Sequence, residues 1–96
     1  MVNISTLNGK YRDSKFISTI KSYKNNIVLG SLSIVKNKIE TVEVDLSYDK
    51  EVLITIRLSN LIFELTFSKD SAGNFSKEED LFIKKIKKEF FEEDEL

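Results

Sequence analysis

The chain of 96 residues has no cysteine, no histidine, no tryptophan and no proline, a single alanine and two arginines. Without cysteine there is no disulfide, no thiolate nucleophile and no thiolate–metal site, so stability must come from packing. Without histidine the chain lacks the side chain that most readily exchanges protons near neutral pH and the commonest metal ligand. Carboxylates, lysines, tyrosines and hydroxyls remain. Nothing in their spacing matches a Gly-rich phosphate loop, a nucleophile elbow or a metal-ligand motif. The sequence therefore reads as non-enzymatic, with no catalytic residue, cofactor or metal expected. Two arginines also leave little material for bidentate base readout.

Long hydrophobic runs are missing too. The longest apolar run is three residues, against about 20 needed to span a bilayer. Residues 1–5 lack the basic stretch and apolar core of a secretory leader. These features predict a soluble cytoplasmic protein without a membrane partner, in which the sequons at Asn3 and Asn74 are incidental. Thirteen lysines, eleven isoleucines and seven asparagines set against one alanine and no proline follow AT-rich codon usage. That balance points to a low-GC bacterial genome or one of its mobile elements.

What is present suffices for a core. Hydrophobic residues make up 41% of the chain and aromatic residues 10%, above the composition of disordered segments. The length fits one small globular domain over 1–96. The first ten residues read as a short edge strand or an irregular arm. Asp13 or Ser14 then caps a predicted helix over about 13–24, with Phe16, Ile17, Ile20 and Tyr23 on one face; its serine and threonine content makes a strand the main alternative. From about 27 to 68 the hydrophobic period changes to two, as in half-buried antiparallel strands.

Matching apolar faces yields a set of registers. A turn at Ser59-Asn60 pairs Ile56 with Phe63 and Ile54 with Leu65. A loop at Asp49-Lys50-Glu51 pairs Leu46 with Ile54 and Val44 with Ile56, setting Glu43 opposite Arg57. A loop at Asn37-Lys38-Ile39 pairs Ile34 with Val42 and puts Gly30 on the core face opposite Leu46, open to a helix. The result is a four-stranded antiparallel meander. Ser76-Lys77-Glu78-Glu79 has the capping-box pattern and opens a helix over about 76–91, with Phe82, Ile83, Ile86 and Phe90 on its stripe and an acidic tail at 92–95 that frays it. The predicted fold is α+β: helix, four-stranded meander, helix, with both helices on one sheet face.

Charge is segregated along the chain: +6 over residues 1–38, −4 over 39–75 and −3 over 76–96. The lysine run at 84–88 reads as a solvated helix face paired with Glu78, Glu79, Asp80, Glu89 and Glu92 at three- and four-residue spacing. Glu43, Asp45 and Glu64 read as solvated sheet surface and not as a cation site. In these registers Leu29, Val35, Leu53 and Ile62 fall on the polar face of the sheet, rimmed by serines and threonines. Such a patch suits a partner surface, a homodimer interface, or cover from within the chain.

The expected function is therefore a small protein-binding module, of inhibitor, immunity or adaptor type, that masks a surface on a larger partner. The alternatives are a nucleic-acid-binding accessory protein using Lys10, Arg12, Lys15, Lys21 and Lys24, and a homodimeric structural protein closed by the apolar sheet face.

Overall fold

A computed structural model describes residues 2–8 and 11–91. It is mostly β. Among the described residues, eight strands form two antiparallel sheets and one α-helix follows them. The larger sheet contains β1 (Val2–Asn8), β2 (Tyr11–Ile17), β6 (Thr41–Asp45), β7 (Glu51–Arg57) and β8 (Ile62–Ser68), in the order β2-β1-β8-β7-β6. The smaller contains β3 (Ile20–Ser22), β4 (Asn26–Leu29) and β5 (Leu32–Val35), in sequence order. A 3-10 turn, Lys36–Lys38, joins β5 to β6, and α1 spans Lys77–Phe91. No helix among the described residues is long and apolar enough to cross a membrane.

The predicted helix over 13–24 is overturned: its first half lies in β2 and its second in β3. Serines and β-branched residues disfavour a helix there and suit strands. Ile17 and Ile20 are both buried, although three residues apart in a continuous strand would put them on opposite faces. The bend at Ser18 and Thr19 resets that phase as the chain passes from one sheet to the other. The apolar spacing that mimicked a helix thus belongs to two strands in two sheets.

Nor do residues 2–8 form an edge strand or an arm. β1 is central, with Ile4 opposite Lys15 of β2 on one side and Leu65 of β8 on the other. Its alternation of Val2 and Ile4 with Asn3 and Ser5 buries one face only.

The four-stranded meander is also overturned. β4 and β5 pair only within the smaller sheet, where Leu29 faces Leu32 around a two-residue turn. Gly30 sits in that turn, not on a sheet face, at φ +65°, and a Cβ there would lie 3.1 Å from Ile17 Cγ2. Both the left-handed backbone and the close approach favour glycine. β6, β7 and β8 do form a meander. Ile56 faces Phe63 and Ile54 faces Leu65, as the hydrophobic alternation predicts, and the Leu58 N–H donates to the Leu61 carbonyl at 2.8 Å to close the turn.

The β6–β7 register differs from the expected one by two residues: Val44 faces Ile54 and Val42 faces Ile56. A slip of two keeps every side chain on its face, so face matching alone does not distinguish the two registers. The loop before β7 is accordingly longer and leaves Leu46 exposed. Asp45 starts this loop by accepting hydrogen bonds from the Ser47 N–H at 2.9 Å and the Ser47 hydroxyl at 2.6 Å.

These bonds favour the charged form, the hydroxyl contributing most, and hold the Asp45 carboxyl below its ordinary value. A depressed folded-state pKa adds stability above the unfolded pKa that is lost as pH falls through the folded one. Ser47→Ala is expected to raise the Asp45 titration midpoint toward the ordinary value, read by carboxyl-carbon chemical shift against pH. An unchanged midpoint would show that the Ser47 hydroxyl does not set it.

The core lies between the inner face of the larger sheet and a second layer in which α1 sits beside β3. Ile54, Ile56, Leu65 and Phe67 meet Ile27, Leu29, Phe82 and Ile86, all essentially inaccessible. Phe82 stacks on Phe67 with ring centroids 5.7 Å apart. The helix begins as its capping box predicts, with Ser76 Oγ accepting from the Glu79 N–H at 3.2 Å. Its stripe is the expected one, with Phe82, Ile83 and Ile86 buried and Phe90 half-buried. The acidic tail at 92–95 lies outside the described residues.

Candidate binding groove between strand β3 and the helix

The four aliphatics expected to form one surface are dispersed. Leu29 is 1% exposed and belongs to the core, because β4 joins the second layer and turns it inward. Val35 is half-exposed on β5, the edge of the smaller sheet. Leu53 and Ile62 do share the outer face of the larger sheet, each half-buried. However, Leu53 is level with Thr66 and Ile62 with Arg57, about 14 Å apart along the strands. Between them runs a polar row of Ser14, Ser5, Glu64, Thr55 and Glu43.

Glu43, Asp45 and Glu64 on this face each have a partner. Glu64 meets Arg12 at 2.8 Å and Glu43 meets Arg57 at 3.4 Å, while Asp45 is held by Ser47. The Glu43–Arg57 pair forms diagonally, since Thr55 stands opposite Glu43. No group of acidic residues able to hold a metal ion occurs among the described residues.

The basic N-terminal third is likewise divided. Lys10 lies outside the described residues. Arg12 is engaged by Glu64, and Lys15 lines a groove with Ile4, Leu32 and Phe63. Lys21 and Lys24 lie on the far side of the bend, on β3 and just after it. There they meet basic residues from much later in the chain.

A groove of 310 Å³ runs between β3 and α1, lined by Ile20, Tyr23, Leu81 and Phe82 together with Lys21, Glu78 and Lys85. A second hollow of 390 Å³ shares Ser22, Tyr23 and Lys85 with it and adds Lys24, Lys36 and Lys88. The two hollows adjoin through these shared residues, and the helix residues that line them run from Glu78 to Glu89, about 16 Å at 1.5 Å per residue. Residues 78, 81, 82, 85 and 89 recur at helical spacing, so one stripe of α1 faces β3. This stripe borders the core stripe and shares Phe82 with it.

Backbone geometry closes the seam beneath the groove. The Tyr23 N–H donates to the Asn26 carbonyl and the Gly30 N–H to the Thr19 carbonyl. In an antiparallel ladder this pattern turns the intervening Ser22 carbonyl away from β4, where Lys85 Nζ reaches it at 3.5 Å. Lys36 ties the other end, donating to the Tyr23 carbonyl and pairing with Glu89. The Lys36 side chain is only 12% exposed, so this contact is part of the wall.

Above that seam the groove is open. Tyr23 is 50% and Leu81 54% exposed. Lys21, Lys24, Lys85 and Lys88 are exposed and make no ion pair among the described residues. The lysine run of the helix is therefore split. Lys84 pairs with Asp80 at 3.0 Å in the expected i,i+4 fashion, while Lys85 and Lys88 line the groove. Leu81 escapes a reading based on the core stripe because it lies one position off it. The pairing of Tyr23 and Lys24 with Lys85 and Lys88 has no local signal, since about sixty residues separate them. No protein family, curated protein or solved structure matches this chain.

Proposed function

We propose that this chain is a small, non-enzymatic protein-binding module that covers a surface on a larger protein, and that the groove between β3 and α1 is its main contact. The observation that supports this reading is the presence of two half-exposed apolar side chains, Tyr23 and Leu81, over an apolar floor inside a rim of lysines. An apolar centre within a polar rim is the usual anatomy of a protein–protein contact. A cytoplasmic setting in a low-GC bacterium belongs to the same proposal and rests on composition.

Affinity capture from lysate of a low-GC bacterial host, with and without nuclease, tests the reading when wild type is compared with Leu81→Ser. One stoichiometric protein partner, at least tenfold depleted by Leu81→Ser, is the expected result. Such a loss corresponds to about 1.4 kcal/mol, within the range of an interface anchor. A partner retained equally by the variant would move the contact elsewhere. Nucleic acid as the captured species would overturn the reading.

A further inference from the structure

We infer that the groove between β3 and α1 takes an acidic peptide segment carrying one aliphatic or aromatic anchor. This inference rests on the groove being the contact site and specifies what fills it. The lengths agree: a wall of about 16 Å accommodates roughly five extended residues at 3.3 Å each.

Among the described residues the groove's positive charge is only partly compensated. Five lysines, at 21, 24, 36, 85 and 88, face two glutamates, at 78 and 89. Glu89 is already engaged by Lys36. Lys21 and Lys85 flank the apolar section, with Lys24 and Lys88 beyond Tyr23. This layout suits an apolar anchor seated at Tyr23 and Leu81 with carboxylates continuing toward Lys24 and Lys88, away from Glu78. Lysine binds carboxylates as a mobile point charge, so the site selects acidity around an anchor without demanding a fixed sequence.

The same features disfavour nucleic acid. Tyr23 is the one exposed ring there and Leu81 offers none, whereas single-strand sites stack successive bases on several aromatic side chains.

Fluorescence anisotropy with three probes tests the inference: a labelled peptide of one leucine between two runs of three glutamates, the same peptide with glutamine for glutamate, and a thymidine oligonucleotide of similar length. The acidic peptide is expected to bind at least tenfold more tightly than the neutral one and to weaken as salt rises from 50 to 300 mM, since these exposed charges are screened. Replacing Lys24 and Lys88 by glutamine should weaken the acidic peptide about four- to twenty-fivefold, two- to fivefold per exposed lysine. It should leave the neutral peptide unchanged. Leu81→Ser should weaken both peptides alike.

Equal binding of the two peptides would overturn the acidic preference while leaving the groove as a contact site. Failure of both peptides would also overturn it, and if Leu81→Ser then left partner capture intact, the groove reading would fall as well. Tighter binding of the oligonucleotide would overturn the choice of partner class.

Discussion

Phe82→Ala is expected to cost about 3–5 kcal/mol of folding stability, whereas the neighbouring substitution Leu81→Ala should stay within about 0.5 kcal/mol. Phe82 is 1% exposed and stacked on Phe67 of β8, the strand at the middle of the larger sheet. It is the largest side chain that α1 contributes to the core. Truncation removes the ring contact and leaves a cavity between the helix and β8. A domain of this size is stable by only about 5–15 kcal/mol, and each kcal/mol moves the melting temperature by about 4–8 °C. A fall of roughly 12 °C or more is therefore expected, read by circular dichroism on heating and by urea titration. If Phe82→Ala does not fold, Phe82→Leu keeps part of the volume and should give an intermediate loss. Similar melting temperatures for the variants at 81 and 82 would mean that α1 presents a different face to the sheet.

Ile4→Ala is expected to cost about 2–5 kcal/mol, and Ser5→Ala next to it about 0.5 kcal/mol or less. The contrast follows from the position of β1. Ile4 is 3% exposed and lies between Leu65 and Lys15 in a strand paired on both sides. Ser5 points to the outer face. An edge strand or loose arm at the N-terminus would make both substitutions mild. Urea denaturation of the two variants separates these cases, and a loss below about 1 kcal/mol at Ile4 would contradict a central β1. Backbone amides of β1 should also exchange among the slowest, because central strands open only with the global unfolding of the domain.

These two substitutions mark where the sequence was legible and where it was not. Helix α1 was readable because its determinants are local: a serine cap, a glutamate three residues on, and apolar residues at helical spacing. The β7–β8 hairpin was readable for the same reason, since a two-residue turn leaves one register that matches the faces. β1 was not, because its neighbours Leu65 and Phe67 lie some sixty residues away and nothing local specifies that pairing. The stretch from Phe16 to Tyr23 misled because a bend between two strands reproduces the spacing of a helix face. β5 and β6 misled because any strand with one apolar face can be matched to any other, and only the second layer decides which sheet receives it.

The groove inherits these non-local pairings. Lys21 and Lys24 were recognisable as basic residues with a possible role, and Lys85 and Lys88 as part of a lysine run. Their convergence depends on α1 packing beside β3, which the sequence pattern does not reveal. Of the aliphatics singled out beforehand, Leu53 and Ile62 reached the outer sheet face but are kept apart by the row containing Glu64 and Thr55. Alternation identified their face correctly and carried no information about adjacency across five strands.

The central claim is that partner contact occurs at the seam of β3 and α1 and not on the open face of the larger sheet. Amide hydrogen exchange of the protein, free and bound to its captured partner, tests this most directly. New protection confined to residues 20–24 and 81–89 is the predicted result. Protection of β1, β2 and β8 with exchange at the seam unchanged would contradict it, and would place the contact on the outer face around Phe16 and Leu53.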